Sequence, residues 1–314
     1  MKRRASQGRW GRKMVLILML CFCIGSLVML QKQYIRVLDL ETASPPDNQK
    51  PRIAFLFIAR NRLPLDMVWD AFFRGEKEGR FLIYVHSRPG FVLNRVTTSS
   101  LYFHGRQVNN SIQVDWGESS MLEAERILLR NALMDPFNER FVFLSDRLDL
   151  QSCIPLYNFS YTYDYIMSTP TSFIDSFADT KEGRYNPRMN PIIPVYNWRK
   201  GSQRRSLPEF WRDHPIQKGF EGEITRRSLT HTSWDLSSSR DRQRRGWHPV
   251  TYKLSDATPS LIKSIKDIDN IYYETEYRRE WCTSRGRPST CFLFARKFTR
   301  SAALRLLNMS ILAI

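Results

Sequence analysis

The chain has 314 residues, of which 42% are hydrophobic and 13% aromatic, so it can bury a substantial core in one large domain or two small ones. Its net charge of +17 first suggests a nucleic-acid partner, but the membrane anchor predicted below argues against that class. Basic residues cluster at several places, among them Arg226-Arg227 and Arg278-Arg279, and most of the basic residues are interpreted as a solvated surface.

An uncharged apolar run covers residues 14–30, and six Lys and Arg residues precede it. A helix needs roughly 17–25 apolar residues to cross a bilayer, and a basic excess keeps its own side cytoplasmic. The pattern predicts a single-pass type II protein, with residues 1–13 as cytoplasmic tail, 14–30 as signal anchor, 31–51 as stem and 52–314 as a lumenal domain. The short span suits the thinner membranes of the early secretory pathway. The alternative is a cleaved signal peptide, whose apolar region is shorter, about 7–15 residues.

Apolar runs alternate with amphipathic segments through the first half of the lumenal domain. Strands are predicted at 52–60, 81–85, 140–144 and 172–177, and helices at 65–73 and 120–134. This alternation predicts an α/β fold with a largely parallel central sheet. Ligands bind beyond the carboxyl ends of such strands, which directs attention to Arg60-Asn61, His86-Ser87 and Ser145-Asp146. Apolar periodicity is poor over 203–245, and regular structure is expected again at 259–271 and 292–307.

Cysteines and glycosylation sequons bear on the compartment. Cys282 and Cys291 are close enough in sequence to close a small loop by a disulfide in an oxidising lumen, while Cys153 is then either buried or without its partner. No Cys or His spacing suggests a zinc site. Asn-x-Ser/Thr sequons begin at Asn109, Asn158 and Asn308 and are acceptors only if the domain is lumenal.

Several short sequence motifs occur along the chain. No single motif identifies a family, but their order and number together do. The motifs are residues 53–60, IYVH at 83–86, FHGRQ at 103–107, VDWG at 114–117, SCIPLYNF at 152–159, WRKGSQ at 198–203, RSLT at 227–230 and CFLFARKF at 291–298. By these segments the chain resembles the plant branch of the core-2/I-branching β-1,6-N-acetylglucosaminyltransferase-like family (glycosyltransferase family 14-like). The resemblance covers residues 52–203 and 226–307.

The resemblance implies transfer of a GlcNAc-like sugar from a UDP-sugar to a glycan or glycoprotein acceptor in the Golgi. It implies a GT-A-like fold that binds the nucleotide sugar with no metal cofactor. An inverting transfer needs a carboxylate to deprotonate the acceptor hydroxyl and positive charge to stabilise the departing diphosphate. The resemblance assigns the positive charge to Arg296 and Lys297, with Arg285 or Arg287. The alternative is that Arg296-Lys297 ends a strand and is exposed to solvent.

Other candidates are less specific. His86 and Trp116 are candidates for the donor side, although His86 is also interpreted as a plain strand-end residue. The acceptor-side candidates are Arg184, Tyr185, Trp198 and Arg199, since aromatic faces stack on sugars and Arg binds hydroxyls or acids. Glu118, Glu123 and Glu125 are interpreted as acids at a helix start. The Asp267-Ile268-Asp269 sequence lies in a Lys-rich segment and is interpreted as a chance match to a metal-binding motif.

The chain departs from the family pattern in two places. An insertion at 146–151 lengthens a loop after a strand. Residues 204–225 stand in place of several dozen residues that include the family's presumed catalytic glutamate. Glu209, Glu221 and Glu223 remain but lack the expected neighbours, so no catalytic residue is assigned. Three explanations fit this difference: a faulty or alternatively spliced gene model, a pseudoenzyme, or an enzyme with a relocated base. The competing class of function is a lumenal binding or scaffold protein.

Overall fold

The computed structural model divides the chain into two compact units, residues 1–49 and 50–314. It describes residues 50–115, 118–145, 151–178, 185–192, 194–196, 198–199, 201, 221–234 and 249–312, together with the helical residues Met19, Gly25, Ser26, Met29 and Gln31. The predicted tail, anchor and stem therefore lie almost wholly outside the described residues. Within the described ranges, no helix combines the length and apolar character that a membrane span requires.

A parallel sheet forms the first half of the larger unit. It contains β1 (Arg52–Ile58), β2 (Phe81–His86) and β3 (Asn138–Ser145) in the order β2-β1-β3, and both pairings are parallel. Helices α1 (Asp66–Phe73) and α2 (Ser120–Ala132) accompany these strands. The α/β prediction with a parallel sheet is thus confirmed.

The central strand explains why both faces of this sheet are covered. Alternate side chains of a strand point to opposite faces, and β1 is apolar and almost wholly buried on both. Phe55 and Phe57 pack with Trp69 of α1 in one apolar cluster, whereas Ala54 and Leu56 belong to a second cluster with residues of α2. This two-sided burial is why the strand reads as a continuous apolar run.

A second, mixed sheet carries the C-terminal candidate residues. It contains β4 (Gln151–Pro155), β7 (Thr230–Thr232) and β12 (Phe294–Thr299) in the order β4-β12-β7. Strand β12 is antiparallel to β4 and parallel to β7. Helices α3 (Phe159–Met167) and α5 (Arg300–Asn308) follow β4 and β12 directly in the chain.

Short elements complete the described part of the chain. They are β5 (Ser172–Phe173) paired with β6 (Ile224–Thr225), α4 (Pro259–Lys266), the hairpin of β8 (Asn270–Tyr273) and β9 (Arg278–Trp281), and the hairpin of β10 (Thr283–Ser284) and β11 (Arg287–Pro288). The strand predicted at 172–177 is therefore wrong in length: β5 has only two residues, because its pairing with β6 is equally short.

Candidate active site

Polar groups collect where β1 and β2 end, as expected for a parallel sheet. The backbone N–H of Ala59 donates to the carbonyl of His86, and that of Arg88 donates to the carbonyl of Arg60, so the two strand ends are held together. Within the described residues, the buried Asn61 Oδ1 and Ser87 Oγ atoms have no hydrogen-bond partner. Buried polar atoms are rarely left in that state, so this edge of the sheet is suited to a ligand. Ser145 ends β3, and Asp146 lies outside the described residues.

His86 is buried at the end of β2 and is engaged by the protein. Its Nε2 accepts a 3.1 Å hydrogen bond from the backbone N–H of Ile112. Burial lowers the pKa of His86, so the imidazole is neutral near pH 7 and carries its proton on Nδ1. This contact fixes the segment that follows Ile112. Farther along the segment, the backbone N–H of Asp115 donates to Ser120 Oγ. The next candidate along this segment, Trp116, lies outside the described residues.

Arg296 and Lys297 lie at a bulge inside β12. The register with β4 shifts between Ala295 and Phe298, so these two residues oppose Cys153 alone. A bulge of this kind redirects side chains and is common beside active sites. Lys297 is only 3% exposed and Arg296 is half-buried. The alternative of a solvent-exposed strand end therefore does not fit Lys297.

A disulfide links Cys282 to Cys291 and closes the β10–β11 hairpin. Arg285 and Gly286 form its turn with φ values of 52° and 72°, the left-handed conformation that two-residue hairpin turns favour. Arg285 and Arg287 are both exposed. The disulfide thus links this loop, whose two arginine side chains are exposed, to the segment that leads into β12.

A buried arginine that the sequence did not single out as a site residue anchors the same region. Arg227 is 1% exposed, so it does not belong to the solvated surface that was predicted for most of the basic residues. Its guanidinium donates to the carbonyl of Cys291 at 2.7 Å and to the hydroxyl of Tyr165 at 2.7 Å, and lies 4.7 Å from the centroid of the Phe173 ring. The resemblance did include this arginine in its RSLT segment, but nothing local in the sequence signals burial.

Three of the four acceptor-side candidates lie together. The rings of Tyr185 and Trp198 meet edge to face, with centroids 6.3 Å apart. Arg199 donates to the carbonyls of Tyr196 and Trp198, and its buried Nε has no partner among the described residues. The fourth candidate, Arg184, lies outside the described residues.

An ion-pair network fixes the backbone at residues 176–178, which precede the acceptor-side candidates in the chain. Glu276 accepts hydrogen bonds from Ala178 N–H at 2.8 Å, from Arg226 at 2.5 Å and from Arg278 at 2.9 Å. Burial opposes ionisation of this carboxyl, yet the hydrogen bonds outweigh it and hold its pKa below the usual value. Because Arg226 and Arg278 also donate to the carbonyl of Ser176, the backbone at 176–178 is fixed from both sides.

Most of the candidate carboxylates are exposed, have local partners or lie outside the described residues. Glu209 and residues 146–150 of the insertion at 146–151 lie outside the described residues, and Glu223 is exposed. Among the described residues, no group of three or more His, Cys, Asp or Glu side chains is arranged to hold a metal ion. Asp267 pairs with Lys263 and Asp269 accepts from Asn270, so both have local partners.

The remaining acids and the sequon asparagines have plain positions. Glu123 pairs with Arg126 and Arg130 on α2, while Glu125 is buried on the same helix. The sequon residues Asn109, Asn158 and Asn308 are exposed. Asn158 also caps α3, since its Oδ1 accepts from the N–H of Tyr161.

Comparison with known proteins agrees with the sequence motifs. The Core-2/I-Branching enzyme family model matches residues 53–208. Glycosyltransferase BC10 of Oryza sativa subsp. japonica is 63% identical over 324 aligned residues, which cover 87% of this chain and 79% of that protein. The aligned stretch is longer than the chain, so that protein has residues that this chain lacks. The predicted family is therefore confirmed: this chain belongs to the Core-2/I-branching enzyme family of glycosyltransferases.

Proposed function

We propose that this protein is a Golgi enzyme, anchored as a single-pass type II membrane protein, that transfers a GlcNAc-like sugar from a UDP-sugar to a glycan or glycoprotein acceptor with inversion. Its parallel sheet is consistent with a GT-A-like donor domain. The observation that carries the proposal is the Arg296-Lys297 pair at the bulge of β12, with Lys297 buried. Lysine is seldom fully buried unless its charge is paired, and a departing diphosphate requires positive charge near it.

In this proposal the cations take the place of a metal ion. Arg296 and Lys297 neutralise the diphosphate, and Arg285 or Arg287 of the disulfide-closed hairpin adds to them. Charge–charge attraction is stronger when the partners are shielded from water, which favours a buried lysine over an exposed one. Asn61 Oδ1 and Ser87 Oγ, at the carboxyl ends of β1 and β2, offer hydrogen bonds to the nucleoside. His86 and Trp116 remain proposed residues of the donor side.

The acceptor sugar is proposed to bind at the acceptor-side candidates rather than at the donor-site residues. Tyr185 and Trp198 offer an aromatic corner for stacking on a sugar ring. Arg184 and Arg199 offer N–H donors to its hydroxyl or acidic groups. The base that removes the acceptor proton is not assigned to a residue.

Nucleotide titration tests the donor site. Purified full-length protein is expected to bind UDP equally well with and without EDTA. Replacing both Arg296 and Lys297 by alanine is expected to weaken binding at least about tenfold, since one hydrogen bond to a charged group contributes on that scale. The matched control is Arg130→Ala, which removes an exposed arginine of α2. Unchanged UDP affinity in a folded double variant would falsify the donor-site assignment.

A second candidate is a lumenal binding protein without catalytic activity. It is favoured by the end of the family match at residue 208 and by the residues that the chain lacks relative to its rice relative. A missing general base costs about 10²–10⁴ in rate. Release of UDP from a UDP-sugar, with and without glycan acceptors, separates the two: turnover supports the enzyme, and binding without turnover supports the binding protein.

Two further measurements test the membrane topology of the protein and the origin of the shortened segment at 204–225. Protease protection of residues 52–314 in intact microsomes is expected for a lumenal domain, and cleavage there contradicts the proposed topology. Sequencing of the transcript across codons 204–225 distinguishes a genuine shortened segment from an alternatively spliced or faulty gene model.

A further inference from the structure

The β8–β9 hairpin presents an exposed aromatic face that the proposed transfer reaction does not use. In its register, Asn270 lies opposite Trp281 and Tyr272 lies opposite Arg279. Because facing residues of an antiparallel pair point to the same side, these four side chains share one surface, the outer hairpin face. Trp281 is 59% exposed and Tyr272 is 49% exposed, which is unusual for two large rings on neighbouring strands.

The opposite face of the hairpin attaches it to the domain. Tyr273 is 9% exposed, and its hydroxyl donates to Asp175 at 2.9 Å. Arg278 lies over the Tyr273 ring at 4.1 Å from the centroid and pairs with Glu280 and Glu276. The inner face therefore supplies the contacts that stabilise the hairpin, and the exposed rings are not required to build its core.

Arg279 stands between the two exposed rings. Its Cζ lies 5.4 Å from the Tyr272 ring centroid and 5.8 Å from the Trp281 ring centroid. Its Nη1 donates to Asn270 Oδ1 at 2.9 Å, and in the described part of the chain no carboxylate pairs with it. A guanidinium has five N–H donors in a planar fork, so most of this fork stays available while the rings hold its plane in place.

We propose that the outer hairpin face, made of Asn270, Tyr272, Arg279 and Trp281, binds a glycan that carries carboxylate groups. Aromatic faces pack against the C–H faces of sugar rings, and the guanidinium fork matches a carboxylate with two parallel hydrogen bonds. Without the six basic residues of the predicted tail, the chain's net charge of +17 falls to +11, which still attracts a polyanion to the surface. None of these four residues belongs to the proposed donor site, so the proposal does not depend on the roles of Arg296 and Lys297.

Binding of oligogalacturonate to purified full-length protein tests the proposal, with its methyl ester as the matched neutral ligand. The acid is expected to bind and the ester to bind much more weakly. Arg279→Ala and Trp281→Ala are each expected to weaken binding of the acid about tenfold, on the scale of one charge-assisted contact. Arg279→Lys keeps the charge but loses the fork, and is expected to recover only part of the affinity.

Two variants control for general effects. Arg74→Ala removes an exposed arginine that directly follows α1 and tests whether net charge alone attracts the polyanion. Tyr277→Asn removes an 87% exposed ring from the same hairpin at a left-handed turn position that Asn tolerates. Both are expected to bind like wild type. Equal binding of acid and ester, undiminished binding by Arg279→Ala, or an equal loss in Arg74→Ala overturns the proposal; thermal melting verifies that each variant is folded.

Discussion

The guanidinium of Arg227 donates a 2.7 Å hydrogen bond to the carbonyl oxygen of Cys291. This bond joins the segment before β7 to the disulfide-bonded residue that precedes β12. The same guanidinium bonds the hydroxyl of Tyr165 on α3, and that hydroxyl donates to the carbonyl of Thr290. A single buried arginine therefore organises the base of the hairpin that carries Arg285 and Arg287.

Replacement of Arg227 by methionine is expected to lower the free energy of unfolding by about 3 kcal/mol, because it leaves the buried Cys291 carbonyl without a donor and removes the bond to Tyr165. Urea unfolding of the full-length protein measures the change. Arg130→Ala, which removes an exposed arginine, is expected to stay within about 0.5 kcal/mol of wild type. If the two variants lose equal stability, the buried network is not important for the fold.

Replacement of Cys282 and Cys291 by serine is expected to lower the free energy of unfolding by about 2–3 kcal/mol, since a short closed loop is released in the unfolded chain. Reduction of the wild-type protein by dithiothreitol is expected to give the same stability as the double variant. Backbone amides of β10 and β11 are expected to exchange faster with deuterium in both. Stability that is the same with and without the disulfide would contradict this reading.

His231 makes stability depend on pH. Burial lowers its pKa from 6.5 to about 4, so the unfolded chain takes up a proton at a higher pH than the folded protein does. Stability is therefore complete above pH 6.5 and is lost as the pH falls from about 6.5 to about 4, by up to about 1.4 kcal/mol per pH unit. His86, whose pKa is also lowered by burial, acts in the same direction.

Comparison with His231→Gln isolates this contribution. Between pH 7 and pH 5, wild type is expected to lose roughly 2 kcal/mol more than the variant, because glutamine does not titrate. Urea unfolding at a series of pH values gives both curves. Curves that run parallel over this interval would show that His231 does not contribute.

Gly201 is expected to be intolerant of a side chain. A Cβ atom at this position would lie 1.8 Å from the carbonyl oxygen of Asp175, so the backbone has to move. Gly201→Ala is expected to cost about 1–3 kcal/mol of unfolding free energy, the usual range for overpacking. Gly222→Ala is the matched control, since nothing lies within 4 Å of its Cβ position. A similar outcome for both variants would contradict the close approach.

Several elements are predictable from local sequence. β1 and β3 are apolar runs, and α2 carries apolar residues at helical spacing, so each is recognised without its partners. β4 is different. Its sequence is short and ends at Pro155, and it is a strand only because it pairs with β12, which lies far away in the chain. The β8–β9 and β10–β11 hairpins likewise escape prediction, since their residues are mostly polar or charged.

The candidate site, like the fold, was only partly predictable from local sequence. The motifs directed attention to Arg296, Lys297 and the strand ends at Asn61 and Ser87, because residue identity and order are properties of the chain. They did not distinguish the buried Lys297 from the exposed Arg287. That distinction depends on which strand each residue joins.

The amino-acid order alone determined the family of this protein and the alternation of strands and helices in its first half, since motif content and apolar period are local properties. Only the tertiary structure decided which basic residues are interior: Arg227 is buried by Tyr165, Phe173 and Cys291, while Arg279 remains on an open surface. The physical reason is that burial arises from contacts between residues distant in the chain, and neighbouring arginines carry no local mark of those contacts.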